Sequence, residues 1–297
     1  LMAHYRQSKR RTALFLESVL NIPCSTGLVV KLQNRATQSL RPIYDQLVSQ
    51  LPTQSVLGID ETPMKQANSK SWLWAFVAKQ FSVFQIRPTR ASGILADLLT
   101  DKFAGIVTCD RAKMYWKLNQ LQWCWAHLKR DFQKMADNSN SFVKELGENL
   151  LSQTRRLFRQ YSRCRDGTIS REGLKISLGK TRKKIASLLL RGLECDHAKT
   201  SGTCRELYWY RERLWRFLDH AGVEPTNNAS ERALRHPVIW RKLSFGTQSE
   251  SGSRFVETML TIIETCRQQN RNIFEYVTES MTNTFANQPP PSLLPRV

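Results

Sequence analysis

Two acidic residues stand where short apolar runs end: Asp60 follows Val56, Leu57, Gly58 and Ile59, and Asp110 follows Ile106, Val107, Thr108 and Cys109. Apolar runs of this length read as buried strands, and a carboxylate at a strand end is held by a rigid element, where a site is best built. Adjacent parallel strands bring both carboxylates to one sheet edge, and a helix packed beside them can supply a third acid, Glu231. Three carboxylates suit hard divalent cations, which prefer oxygen ligands and keep exchangeable waters. Two such ions roughly 3.5 to 4 Å apart activate the attacking oxygen of a phosphodiester displacement and stabilise the leaving one, so no covalent protein nucleophile is required. On pattern alone a plain alternative stands beside this one, because acids at strand ends are often turn formers or caps.

Residues around these acids carry similar pairs of readings. Arg232 and Arg235 follow Glu231 by one and four positions; the second shares its helix face and is the better phosphate clamp, with a surface ion pair as the alternative. His127 can contact a phosphate or simply cap and pack. Cys124 and His127 have a ligand-like spacing, yet Cys109 and Cys124 fall in apolar strands, where cysteine is commonly a small buried hydrophobe. Cys195, His197 and Cys204 form a second cluster with no evident fourth ligand. Glu61 points to the face opposite Asp60 if the strand continues, which puts it behind the site or at the surface.

The elements that must position these residues follow from periodicity and punctuation. Arg11 to Ile22 predicts a helix stopped by Pro23; Ser25 and Thr26 cap a second starting near Gly27; a longer one through Leu40, Ile43, Leu47 and Leu51 is interrupted near Pro42. Helix, short turn, helix is compatible with a helix-turn-helix or with two helices packed on the next domain. The strand ending at Asp60 is followed by a hairpin, Trp72 to Ala78 and Phe81 to Arg87 about Lys79-Gln80. Then come a helix from Ala91 to Leu99, the strand from Gly105 to Cys109, a strand from Leu121 to Trp125 and a helix from His127 to Ala136. The order β-β-β-α-β-α-β-α predicts an α/β, RNase H-like mixed sheet flanked by helices. Residues 138–222 turn helical and basic, with Arg155, Arg156, Arg159, Arg163, Arg165, Lys180, Arg182, Lys183 and Lys184, and with a last helix from Arg205 to Asp219. Asn227 and Asn228 cap a helix carrying Glu231 and stopping at Pro237. A loop from Phe245 to Gly252 precedes a long helix, Arg254 to Gln269, and Asn287 to Pro295 is a proline-rich tail. The organisation expected is therefore a helical region over 1–54, the first part of a catalytic domain over 55–137, a basic helical insertion over 138–222, the last part of the catalytic domain over 223–280 and a tail over 281–297.

The net charge is +20 across 297 residues. Such an imbalance destabilises a compact chain unless something anionic is bound, and the basic residues are spread too widely for one membrane-surface helix, so nucleic acid is the expected partner. A ribosomal or chromatin-type protein would share this charge. No apolar run is long enough to span a membrane. Seven irregularly spaced cysteines and no cleavable N-terminal hydrophobic segment argue against a disulfide framework and predict a soluble, cytoplasmic protein. Leu1 ahead of Met2 fits either an unusual start codon or a fragment.

Three segments carry a more specific signal. Asp60-Glu61-Thr62-Pro63, Cys124-Trp125-Ala126-His127 and Asn227-Asn228-Ala229-Ser230-Glu231-Arg232-Ala233-Leu234-Arg235 resemble, in order, marker segments of the insertion-sequence-sixty-six family of bacterial transposases. Asp110, ahead of Arg111 to Tyr115, stands where that family has its second acid, usually followed by Gly-Tyr; here Arg111 replaces the glycine. The likeness runs from about Tyr5 to the tail. It implies a DDE-type enzyme in which Asp60, Asp110 and Glu231 bind two divalent cations, Mg or Mn, and catalyse DNA cleavage and strand transfer of an insertion sequence. His127, Arg232, Arg235 and Lys242 are then expected at DNA phosphates. The implied partners are double-stranded DNA at element ends and target, further copies of the chain on that DNA, and accessory proteins of the same element. The implied location is the bacterial cytoplasm in association with the nucleoid. Family members often carry an upstream coiled, zinc-binding region, and no Cys-x-x-Cys pair is present here to form one. The competing expectations are a hydrolysis-only nuclease of RNase H-like fold and a decayed or reused transposase that binds DNA without catalysis.

Overall fold

The computed structural model describes residues 1–294. In chain order the elements are α1 (Met2–Tyr5), α2 (Lys9–Leu20), α3 (Thr26–Ser49), β1 (Val56–Gln66), β2 (Ser69–Val77), β3 (Ser82–Arg87), α4 (Gly93–Leu99), β4 (Ile106–Cys109), β5 (Leu121–Trp123), α5 (Trp125–Ala136) and α6 (Ser141–Arg165). They continue with α7 (Arg171–Ser177), α8 (Gly179–Leu193), α9 (Ala198–Trp209), α10 (Arg216–Asp219), α11 (Asn228–Ser244), α12 (Glu250–Gln268) and α13 (Ile273–Phe285). This is the mixed α/β class that the sequence predicts, with antiparallel and parallel strand pairs flanked by helices. Two compact units result, one from residues 1–105 and the described residues from 228 onward, the other from residues 106–227.

In the first unit β2 pairs antiparallel with both β1 and β3, in the register Asp60↔Ala75 and Ala75↔Phe84. One face of these strands packs Met64, Leu73, Ala75, Phe84 and Ile86 with Ala233, Leu234 and Trp240 of α11 and Phe255, Val256 and Leu260 of α12. Strand β1 does not end at Asp60, as expected from its apolar run, but continues through Thr62 and Met64 to Gln66. The extension lacks an apolar run because only alternate residues are covered, Met64 being buried between exposed Pro63 and Lys65.

Two prolines expected to break helices lie inside them. Pro42 sits on the exposed side of α3, whose buried residues Leu40, Ile43, Tyr44 and Leu47 continue past it. Pro237 lies within α11 on a buried stripe of Ser230, Ala233, Leu234, Pro237 and Trp240. Each costs one backbone hydrogen bond, which burial of the surrounding stripe outweighs. The second and third predicted helices are thus one, α3, packed on α12 and α13. The loop after α11 turns on Phe245 and Gly246, both at positive φ. A side chain at Gly246 would meet the Lys65 carbonyl at 2.3 Å, so glycine is required there for contact with β1.

In the second unit β4 and β5 pair in parallel, in the register Cys109↔Trp123, and the link between them holds a 3₁₀ turn, Lys113–Lys117, in place of an α-helix. Trp125, expected in β5, opens α5. The single helix expected over Arg205 to Asp219 is broken into the end of α9, a 3₁₀ turn (Arg211–Leu214) and α10. The break is held by side chains from β5 and α5. Gln122 and Trp125 donate to the Leu214 carbonyl at 3.3 and 2.7 Å, and Gln122 Oε1 accepts the Phe217 N–H at 2.9 Å.

The tail's described part is docked. Tyr276 O–H donates to the Pro291 carbonyl at 2.7 Å, Gln269 donates to the Leu293 carbonyl at 2.7 Å, and Leu293 is fully buried. Residues 295–297, at the end of the expected tail, lie outside the described residues.

Candidate functional site

Alternation along β1 puts Gly58, Asp60, Thr62 and Met64 on one face. That face is turned to α11: Met64 shares a core with Ala233, Leu234 and Trp240, and Arg241 Nη1 donates to Thr62 Oγ1 at 3.0 Å. Asp60 is half-buried, and its Oδ1 accepts the Glu61 N–H at 3.0 Å. Glu231 is half-buried in the first turn of α11. The helix runs along β1 in the strand's own sense, since Arg241 meets Thr62 and, beyond the helix end, the Thr247 N–H donates to the Lys65 carbonyl at 2.9 Å. Glu231 lies before Arg241 and Asp60 before Thr62, so both acids lie toward the same end of this strand and helix pair.

Arg232, Arg235 and Lys242 are exposed on α11. Arg241, between the strand and the helix, was not singled out by spacing; its only signal in sequence is a place among basic residues ten positions after Glu231. Glu61 takes the face opposite Asp60, as alternation predicts. Its side chain is almost fully buried in an ion pair with Arg90, which also stacks 5.1 Å from the Trp72 ring centroid.

In the second unit Asp110 directly follows β4, whose four residues are all buried. Its Oδ1 accepts the Ala112 N–H at 2.8 Å, turning the chain sharply after the strand. Arg111 reaches both Asp131 of α5 and Glu206 of α9 at 2.7 Å. Trp116 Nε1 donates to the Arg111 carbonyl at 3.2 Å, and Trp116 in turn stacks with Arg213, which also lies 4.3 Å from the Tyr210 ring centroid and 5.3 Å from that of Trp123. The segment after Asp110 is therefore braced by an ion triad and a cation held among three aromatic rings.

Cys124 is buried at the N-cap position of α5; its Sγ accepts the Asn227 N–H at 3.2 Å and its carbonyl accepts the His127 N–H at 3.1 Å. His127 stands in the first turn of α5, half-buried. At the second cysteine and histidine cluster, His197 caps α9, its Nδ1 facing Thr200 Oγ1 at 2.8 Å. Cys204 packs so closely on Gly192 that a side chain there would meet its Sγ at 2.3 Å, and burial pushes its thiol up to about 12. Capping and packing account for both residues.

The acid most perturbed by its surroundings lies elsewhere, and the sequence did not mark it. Glu257 of α12 is fully buried, accepts the Ile86 N–H at 2.6 Å, and is pushed from 4.5 up to about 7 by burial, against the opposing pull of Arg254, the Ile86 N–H and Arg41.

The family model described as "Transposase IS66 family" matches residues 3–254. A protein of Sinorhizobium fredii named "Uncharacterized protein y4qI" is 24% identical over 312 aligned positions, which cover 94% of this chain and 57% of that protein. The chain thus spans little more than half the length of that relative. With the match extending over most of its residues, the chain belongs to the transposase IS66 family.

Proposed function

We propose that this protein is a DDE-type transposase with an RNase H-like catalytic core, which cuts DNA at the ends of an insertion sequence and joins the freed 3′ ends to target DNA. The observation that carries the reading, beyond family membership, is the placement of Asp60 on the face of β1 covered by α11, whose first turn bears Glu231. Asp110, fixed at the end of a wholly buried strand, is the third acid of the set.

The donor set fits hard divalent cations, because all three groups offer carboxylate oxygen. Bound Mg²⁺ or Mn²⁺ would supply activation of the attacking oxygen and charge stabilisation on the leaving one. Asp60, Asp110 and Glu231 are the residues that would hold those cations. Arg241, with the exposed Arg232, Arg235 and Lys242, supplies positive charge to DNA phosphates, and His127 offers them a hydrogen bond.

The test is cleavage of terminal-repeat DNA and joining of a pre-cut end, with Mg²⁺. Asp60→Asn, Asp110→Asn and Glu231→Gln each keep the side chain's shape and remove its charge, so each is expected to lower both rates by on the order of a hundredfold or more while DNA binding survives. Full activity of any one variant removes that residue from the ligand set. Cleavage without joining by the wild type would indicate a nuclease, and binding without either reaction a reused DNA-binding protein.

A further inference from the structure

The second unit carries a recess that the triad does not use. Helix α8 forms one wall and the 3₁₀ turn between α9 and α10 the other, bounding an open cleft of about 570 Å³. This volume lies in the range of small-ligand pockets. Its lining combines two indoles, Trp209 and Trp215, with three cations, Arg182, Lys183 and Arg211, against one acid, Glu212.

The two indoles differ in kind. Trp215 is part of the core, 5% exposed, with the Arg182 guanidinium 5.6 Å from its ring centroid. Trp209, at the C-terminal end of α9, is 65% exposed, so most of its apolar surface is left in water at a cost that burial elsewhere would have avoided. Arg211 is drawn over the neighbouring Tyr208 ring, 5.0 Å from its centroid. The recess thus presents an open aromatic face rimmed by positive charge.

We propose that this recess binds an unpaired nucleotide of a DNA strand, its base stacked on Trp209 and its flanking phosphates held by Arg182, Lys183 and Arg211; the proposal rests on the transposase reading above. Within a duplex the base faces are occupied by stacking, leaving base edges and the backbone to meet a protein, and contact with the backbone needs cations but no indole. An unpaired base has a free face, and stacking on an aromatic side chain tolerates any base. DNA ends being cut and rejoined supply such nucleotides.

The test compares the full-length protein with Trp209→Ala and Trp209→Phe by fluorescence anisotropy on two labelled probes, a blunt duplex and the same duplex with a short single-stranded extension. Wild type is expected to prefer the extended probe, Trp209→Ala to weaken binding to it by on the order of tenfold, and Trp209→Phe to recover most of the loss. Blunt-duplex affinity should stay unchanged in both variants. Equal loss on both probes, or no loss on the extended probe, overturns the proposal while leaving the transposase reading intact. Failure of the wild type to bind either probe would bring down both. Thermal melting of Trp209→Ala is expected to match wild type, since the side chain is largely outside the core.

Discussion

At the scale of single residues, the chain contains carboxylates in quite different surroundings. Asp60, Asp110 and Glu231 are half-buried, whereas Glu257 is sealed inside and accepts a backbone N–H of the sheet. Its raised pKa has a defined consequence. A folded chain that holds this proton more tightly than the unfolded one gains stability that is fully present below about pH 4.5 and is lost as pH rises to about 7. Relative to a Glu257→Gln variant, wild type should therefore lose on the order of 3 kcal/mol between these limits, read from denaturant unfolding at pH 5 and pH 8. A constant difference between the two proteins across that range would show that Glu257 ionises as an ordinary carboxyl. Arg111 has a different kind of role: its guanidinium spans Asp131 and Glu206, so the turn after Asp110 is fixed by charge.

At the scale of elements, β3 and α12 solve an edge problem. Strand β3 has β2 on one side, and on the other its Ser82, Phe84 and Ile86 N–H groups donate to Thr265, Thr261 and Glu257. The spacings match: four helix residues advance about 6 Å and two strand residues about 6.6 Å, so side chains one helical turn apart meet every second strand residue. Polar groups that would otherwise invite another strand are satisfied by a helix. Thr261→Val keeps the shape and removes the acceptor for the buried Phe84 N–H, and should cost about 1 to 3 kcal/mol in unfolding free energy; Thr261→Ser should recover part of it. If the valine variant unfolds at the same denaturant midpoint as wild type, the ladder is ornamental to stability.

At the scale of the whole molecule, charge dominates. Arg155, Arg156, Arg159 and Arg163 are exposed on α6, and Lys180, Lys183 and Lys184 on α8. Neutralising the four arginines is expected to flatten the dependence of log binding constant on log salt by roughly 0.9 for each phosphate that is no longer neutralised, measured on duplex DNA of arbitrary sequence. An unchanged slope would assign these helices another task, such as association between copies of the chain. Among the described residues no helix is long and apolar enough to cross a membrane.

The sequence by itself determined the fold class, the helix bearing Glu231, the hairpin after Asp60 and the buried strand before Asp110, because each is written in local periodicity and turn residues. Tertiary structure decided what local pattern opposes. Pro42 and Pro237 lie within helices because buried stripes on either side outweigh one missing hydrogen bond each. The expected Arg205 to Asp219 helix breaks because Gln122 and Trp125, some ninety residues away, take up its backbone groups. Strand β1 extends past Asp60 because α11 and the loop after it cover one face. Arg241 and Glu257 were illegible in the sequence for the same reason: what sets them apart is a partner distant along the chain, Thr62 for one and Ile86 for the other.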